Sequence, residues 1–315
     1  MLSDVQVLAG RIGSRGTGTP GEAAAAEFVA GRLAALNLVL ERHSFQAVST
    51  QNSFPAASDL LALLAVVIYP LNATARWIAA GMALASAPLL WRAIRTSDNA
   101  LRPLMPKVTS QNVVARVEPS GETRSRAVVL AHLDTNRCRM AWQSSMVRYL
   151  EPLTCLTLGV LASIGALYLA GALLGGLQWV WWLSLLPAAY VVGTLVTLWQ
   201  DDRAPFTHGA NDNASSVAVA LQIAALLAKQ PPAHTQVWLA FTGAEETDHE
   251  GLRTLLRLHG PELHQAAFIG LEGVGSGEIV FLTRQGIVDH YRPDPGLLTL
   301  AQGVAARRPE LAVRG

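Results

Sequence analysis

Residues 152–200 carry no Asp, Glu, Lys or Arg. A helix of about 20 apolar residues crosses the ~30 Å hydrocarbon core of a bilayer, so this run is long enough for two spans. The pattern predicts them over 153–175 and 179–199, turning through Gly175, Gly176, Leu177 and Gln178. Trp179, Trp181 and Trp182 would mark one interface and Trp199 the other, where aromatic belts form. A weaker pair of apolar runs, 60–71 and 77–91, is separated by Asn72, Ala73, Thr74, Ala75 and Arg76. Each run is short for a span, but residues 54–58 and 73–75 can lengthen both arms into a second hairpin. The organisation predicted is a hairpin over 54–96, a hairpin over 151–200, and one domain assembled from 1–53, 97–150 and 201–315, because each hairpin returns the chain to its starting side.

Outside the hairpins the periodicity alternates between helix and strand. Thr19, Pro20 and Glu22 form a capping signature with proline at the first helical position, and Ala25, Phe28, Val29, Leu33 and Leu36 recur on one face, which predicts a helix ending near Asn37. Strands are expected at 38–45, 112–118, 127–131, 236–241, 267–271 and 278–283, and further helices at 213–229, 250–258 and 295–307. Alternation of this kind predicts an α/β fold: a three-layer arrangement with a mostly parallel central sheet and flanking helices, interrupted by the two transmembrane hairpins.

Composition narrows the function. The chain has 315 residues, 51% of them apolar, and a formal net charge of +1 with no Lys/Arg cluster, so the electrostatic footprint of a nucleic-acid binder is missing. The only cysteines, Cys138 and Cys155, offer neither a disulfide framework nor a thiolate zinc site, and any metal must be held by His and carboxylates. A reducing compartment fits. The first residues lack the apolar core of a secretory signal. Arg92, Arg95, Arg102, Lys107, Arg137, Arg139, Arg148 and Arg203 lie on the domain side of the hairpins and only Arg76 at a tip, which predicts a multi-pass integral membrane protein whose catalytic domain faces the cytoplasm.

Four polar stations carry candidate chemistry. The apolar strand 128–131 runs into His132 and, two residues on, Asp134, which share a face where the strand ends. A carboxylate beside a metal-bound histidine commonly accepts its second ring N–H. Asp212, in Gly-Ala-Asn-Asp-Asn, opens a helix, where an acidic residue also serves as an ordinary cap. Glu245 and Glu246 follow the strand 236–241; adjacent residues of an extended segment point to opposite sides, so one can bind metal while the other faces substrate. Glu272 follows the strand 267–271 and is bounded by glycines.

In this order the motifs AHLD, GANDN, GAEE and GLEG resemble the zinc aminopeptidases and carboxypeptidases of metallopeptidase clan MH, the bacterial leucyl aminopeptidase type. The front of the chain, GRIGSRGTGTPGEAAAAEFVAGRLAALNLVLERHSF, is similar to the glycine-rich turn, first helix and first strand of that family. The resemblance covers the soluble parts and none of the apolar hairpins. It implies that His132, Asp212 and Glu272 hold one zinc, that Asp212 bridges to a second zinc held also by Glu246, that Asp134 orients His132, and that Glu245 is the general base. The activity implied is that of a zinc-dependent exopeptidase, foremost an aminopeptidase acting on peptide substrates. A glutaminyl-cyclase-like acyl transfer on the same fold, or a catalytically inactive membrane scaffold, are the alternatives. Two departures stand out. The long apolar hairpin separates His132 from Asp212, which would set the site close to the bilayer surface. The family also places a final histidine ligand well after the position of Glu272, whereas no histidine follows His290, which reads as a turn or surface residue. The second zinc site is therefore expected to be incomplete, and the peptidase domain to lack its C-terminal end.

Overall fold

A computed structural model describes residues 1–95, 99–175, 178–311 and 313–314. The alternation along the central strands sets its layers. Successive strand residues point to opposite faces, and here Val113, Ala115 and Val117 join Val129, Ala131, Val237, Leu239 and Phe241 in one core, while Val114, Val128, Trp238 and Ala240 join another. The first core is closed by α1 (Leu2–Val5) with its continuation Gln6–Ile12, by α2 (Pro20–Ala34) and by α7 (Ser216–Lys229). The second is closed by α8 (Glu250–Leu263) through Leu255 and Leu263. Helices thus cover both faces of the sheet.

The strands are β1 (Val39–Val48), β2 (Lys107–Val117), β3 (Ser125–His132), β4 (Thr235–Thr242) and β5 (Ala267–Gly270), in the spatial order β1-β2-β4-β3-β5. Pairs β1/β2 and β2/β4 are antiparallel; β3/β4 and β3/β5 are parallel. The mostly parallel sheet expected from the alternation is therefore a mixed one. The connection explains it: β1 leads into α3 (Ser53–Ile68) and α4 (Ala73–Ile94), a helical hairpin that brings the chain back to where it left, and Lys107 pairs with Val48 at that same end. A returning hairpin makes the next strand antiparallel. β2 runs against the other four, so β1, β3, β4 and β5 all end on one edge of the sheet. Both helical hairpins leave from that edge, the second being α5 (Leu150–Leu173) and α6 (Gln178–Asp201) after β3.

The four hairpin helices pack in a ring, α3 and α5 each touching both α4 and α6. Ala79, Ala80 and Ala83 of α4 approach α5 closely, and Gly165 of α5 lies where a Cβ would meet the Leu84 backbone at 3.1 Å. Small residues permit such approaches in apolar surroundings, where packing has to supply the association energy. Tyr69 stacks on Tyr168 at 4.2 Å, and the Tyr168 hydroxyl meets Ser184 Oγ at 2.7 Å. Large apolar side chains such as Trp77, Trp182 and Leu186 face outward. Among the described residues three helices are long and apolar enough to cross a membrane: Ala73–Ile94, Val147–Leu173 and Gln178–Asp201. The helix Ser53–Ile68, with 16 residues, rises only about 24 Å, which is short of a hydrocarbon core. Of the turn expected between α5 and α6, Gly176 and Leu177 lie outside the described residues.

Two further expectations change. Residues 278–283 form no sheet strand; their backbone makes an isolated bridge, Val280 to Arg314, because the loop after β5 carries them away from the sheet edge. The helix α9 (Pro295–Arg307) keeps the bounds expected of it, with Asp294 Oδ1 accepting from Leu297 N at its start. Thr19 caps α2 with its Oγ1 accepting from Glu22 N, but the Glu22 carboxylate does not return to Thr19; it accepts from Gly18 N, Ala244 N and Ser110 Oγ instead.

Candidate metal centre

Three parallel strand ends converge because β3 lies between β4 and β5. His132 is the last residue of β3, Glu245 and Glu246 follow β4, and Glu272 follows β5, so the histidine is flanked on either side by carboxylates. Asp212 comes from the irregular turn Ala210–Ser215 ahead of α7. That turn starts at Gly209, with φ +56°, where an added Cβ would lie 2.3 Å from Thr135 and 2.4 Å from Asp212 O; only glycine fits. The helix expected from residue 213 starts at Ser216, because Asn211 and Asn213 turn their side chains to the Glu272 loop. Asn213 donates to Leu271 O and accepts from Gly273 N, and Asn211 Oδ1 accepts from Gly275 N. These two asparagines hold Asp212 and Glu272 at a common edge.

His132 is buried. Its Nε2 lies 3.1 Å from Asp212 Oδ1 and 4.0 Å from Glu245 Oε2 and has no hydrogen-bond partner. Its Nδ1 faces the Asp134 main-chain oxygen at 3.0 Å and the carboxylate at 3.6 Å. Asp134 fixes the histidine chiefly through its backbone. Its carboxylate organises the neighbouring turn, accepting from Glu245 N, Glu246 N and Thr17 Oγ1. His132, Glu245 and Glu246 offer ligand atoms within 4.8 Å of one another, as do His132, Asp212 and Glu272. All the sequence-predicted site residues are thus gathered around His132, which is common to both groups.

The electrostatics show an excess of negative charge. Burial acts to lower the His132 pKa, yet Asp134, Asp212 and Glu245 together hold it well above the ordinary histidine value. Glu246 is pushed well above the carboxylate range by burial and then by Glu245, Asp134 and Asp212. Glu272 rises through partial desolvation and the charge of Glu245. Glu246 and Glu272 resist ionisation because they are desolvated and, next, because carboxylates surround them, and a cation would favour the charged form of both. A buried imidazole nitrogen facing several carboxylate oxygens is a donor set suited to zinc. By contrast, the group Glu41, His43 and His259 on β1 and α8 already has its cation, since the Arg116 guanidinium pairs with Glu41.

Several contributors were not read from the sequence. Asn136 Nδ2 donates to Glu246 Oε2 at 2.6 Å. His249 Nδ1 sits 2.8 Å from Glu245 Oε1, and this hydrogen bond raises its pKa. The spacing from Glu245 to His249, four residues in GAEETDHE, was the available signal. His290, by contrast, is exposed. Arg102 pairs with Asp248 and Glu250 and so ties the loop after Glu246 to the segment ahead of β2. Gly243 permits the close turn beyond β4: a Cβ there would lie 2.4 Å from Ser110 Oγ and 2.6 Å from Gln111 O.

Residues 196–302 match the family model of Peptidase family M28, a segment that includes Asp212, Glu245, Glu246 and Glu272. The fold is similar to that of BSAP, a zinc aminopeptidase from Bacillus subtilis, with a TM-score of 0.52 and 14% identity over 99% of this chain and 77% of that one. It is also similar to an Acidobacteriales bacterium glutaminyl cyclase (TM-score 0.51, 16% identity, 99% of this chain and 68% of that one). Porphyromonas gingivalis glutaminyl cyclase gives a TM-score of 0.51 at 14% identity, over 99% and 72% of the two chains. At these identities the likeness is one of fold. A comparison with curated proteins finds no match.

Proposed function

We propose that the chain is a zinc-dependent exopeptidase of the bilayer surface, foremost an aminopeptidase that releases N-terminal residues from peptides. The observation that carries this reading is the convergence of Asp212, Glu245, Glu246 and Glu272 on buried His132, whose Nε2 lies 3.1 Å from Asp212 Oδ1. In this reading His132, Asp212 and Glu272 would hold one zinc, and Asp212 and Glu246 would contribute to a second. Zinc bound there would polarise the scissile carbonyl and bring the pKa of an attacking water toward neutrality. Glu245 takes the proton of that water and delivers it to the leaving amine, so that the C–N bond breaks with balanced charge. His249 holds Glu245 Oε1 and steadies it for that transfer. Asp134 sets the turn from which Glu245 and Glu246 project.

The same reading places the helical hairpins across a membrane, with the hydrolase domain on the cytoplasmic side. The three long apolar helices and the predominance of Arg and Lys at their domain ends support it. The test is the hydrolysis of leucyl-aminomethylcoumarin by the purified protein. Glu245→Gln should lower turnover by about 100- to 10,000-fold, the usual cost of losing a general base. Undiminished turnover in that variant would remove Glu245 from the mechanism. A glutaminyl peptide in the same assay separates hydrolysis from cyclisation, since ring closure releases ammonia and leaves the peptide bonds intact.

A further inference from the structure

One cavity joins the carboxylate cluster to the helix bundle. Its volume is about 820 Å³, and it is lined at one end by Glu245, Glu246, His249 and Glu272. All four hairpin helices contribute to the rest, among them Phe54 of α3, Leu90 of α4, Leu153 of α5 and Gly193 of α6, together with the segment Arg139–Trp142 ahead of α5. From Gly193 to Asp201, the last residue of α6, the helix rises about 12 Å. The cavity therefore extends from the site more than two helical turns into the bundle. Deeper in the bundle Leu161, Ile164 and Val191 are fully buried against one another.

The chemistry of this arm selects its occupant. Its wall is mostly apolar; within it Thr194 Oγ1 donates to Asp59 Oδ2 at 2.6 Å and Thr157 Oγ1 meets the Tyr190 hydroxyl at 3.0 Å, while Asn52, Arg139 and Asp201 line the end nearer the domain. Asp59 Oδ1 has no partner and essentially no accessible surface. An extended peptide entering here would bring a backbone N–H and C=O with every residue to a wall that is mostly apolar, at a desolvation cost wherever a partner is lacking. An alkyl chain has no polar groups to satisfy and is thin enough.

We propose that the substrate is an amide carrying a long alkyl chain on its leaving-amine side, with the chain seated in the bundle arm and the scissile amide among Glu245, Glu246 and Glu272. This rests on the hydrolase reading above. Water adds its hydroxyl to the carbonyl carbon and a proton to the nitrogen; the C–N bond breaks, and an amino acid and a long-chain amine leave.

The test uses the full chain in lipid nanodiscs, with leucyl-butylamide and leucyl-dodecylamide below their micelle-forming concentrations. The dodecyl substrate should have a kcat/KM at least about tenfold the butyl one, a modest return for so many buried methylenes. Gly193→Leu projects into the arm from a position where a Cβ meets nothing within 4 Å, and should reduce that ratio by about tenfold. A leucyl alkylamide with a terminal diazirine, added to the Glu245→Gln protein, should cross-link saturably near Gly193 and be displaced by leucyl-dodecylamide. Equal kcat/KM for both chain lengths, with cross-links that do not saturate and fall on outward residues such as Leu186, overturns the inference. Rapid hydrolysis of leucyl-aminomethylcoumarin alongside that result leaves the hydrolase reading standing. Saturable cross-linking in a wild-type protein that hydrolyses nothing supports the chain site and sinks the hydrolase reading.

Discussion

Arg15 is fully buried, yet no carboxylate sits on its guanidinium. It donates to the main-chain oxygens of Leu8, Gly13, Leu133, His208 and Gly209. Two of these flank the site, Leu133 beside His132 and Gly209 at the start of the Asp212 turn, so one side chain sets the distance between them. Burial lowers its pKa to about 10, still far above physiological pH. Arg15→Met should destabilise the domain by about 3–5 kcal/mol, since it leaves several buried carbonyls without donors, and should weaken metal binding in proportion. Thermal unfolding in detergent measures the first and metal titration the second. Glu22 is a parallel case. Burial, and then the charge of Asp134, raise its pKa to about 7 against the three donors it accepts from. A carboxyl raised in the folded state adds stability that is complete below its ordinary pKa and lost as pH rises through about 7. The wild type should therefore lose up to about 3 kcal/mol more stability than Glu22→Gln between pH 4.5 and 8. Equal slopes for the two would show that Glu22 stays ionised. Neither residue's role was legible beforehand. The proposed ligands His132, Asp212, Glu246 and Glu272 stand at strand and helix ends that periodicity reveals, whereas the partners of Arg15 are backbone oxygens, most of them far along the chain, which no spacing of side chains records.

At the level of elements, the hairpins were the plainest feature of the sequence, because a run without charge has few ways to be accommodated. Their packing was not. It depends on where small residues of α4 and α5 coincide, and Gly159 and Gly165 look alike until the structure distinguishes them. A Cβ at Gly165 meets the Leu84 backbone, while one at Gly159 meets nothing within 4 Å. Gly165→Leu should separate α4 from α5 and lower stability by about 1–3 kcal/mol, and Gly159→Leu should be nearly neutral. Similar melting temperatures for the two variants would contradict the close approach. The sheet teaches the converse. β3 and β4 were legible from their apolar runs, but the direction of β2 was not, since it follows from a helical hairpin returning the chain to the same sheet edge. Residues 278–283 have a strand-like composition, yet a strand also needs a neighbour's free edge, and the Asn211 and Asn213 contacts anchor the preceding loop elsewhere.

For the molecule as a whole, the common sheet edge links the helical hairpins to the carboxylate cluster: the strands that deliver His132, Glu245, Glu246 and Glu272 and the strands that lead into the hairpins all end there. If the hydrolase domain is cytoplasmic, the α3–α4 tip faces the other side. In a variant with Cys138 and Cys155 replaced by serine, Leu71→Cys, at an exposed position of that tip, should react with a membrane-impermeant maleimide on intact cells. Reaction only after lysis would reverse the topology. The most direct test of the account is bound metal, measured by mass spectrometry on protein purified without chelator. The wild type and Glu245→Gln should retain zinc, since the general base is not needed to hold it. His132→Ala and Asp212→Ala should lose it, because together they remove the imidazole and the carboxylate that meet at 3.1 Å. Zinc at background in the wild type, or undiminished in both ligand variants, would contradict the metal centre on which the proposed hydrolysis depends.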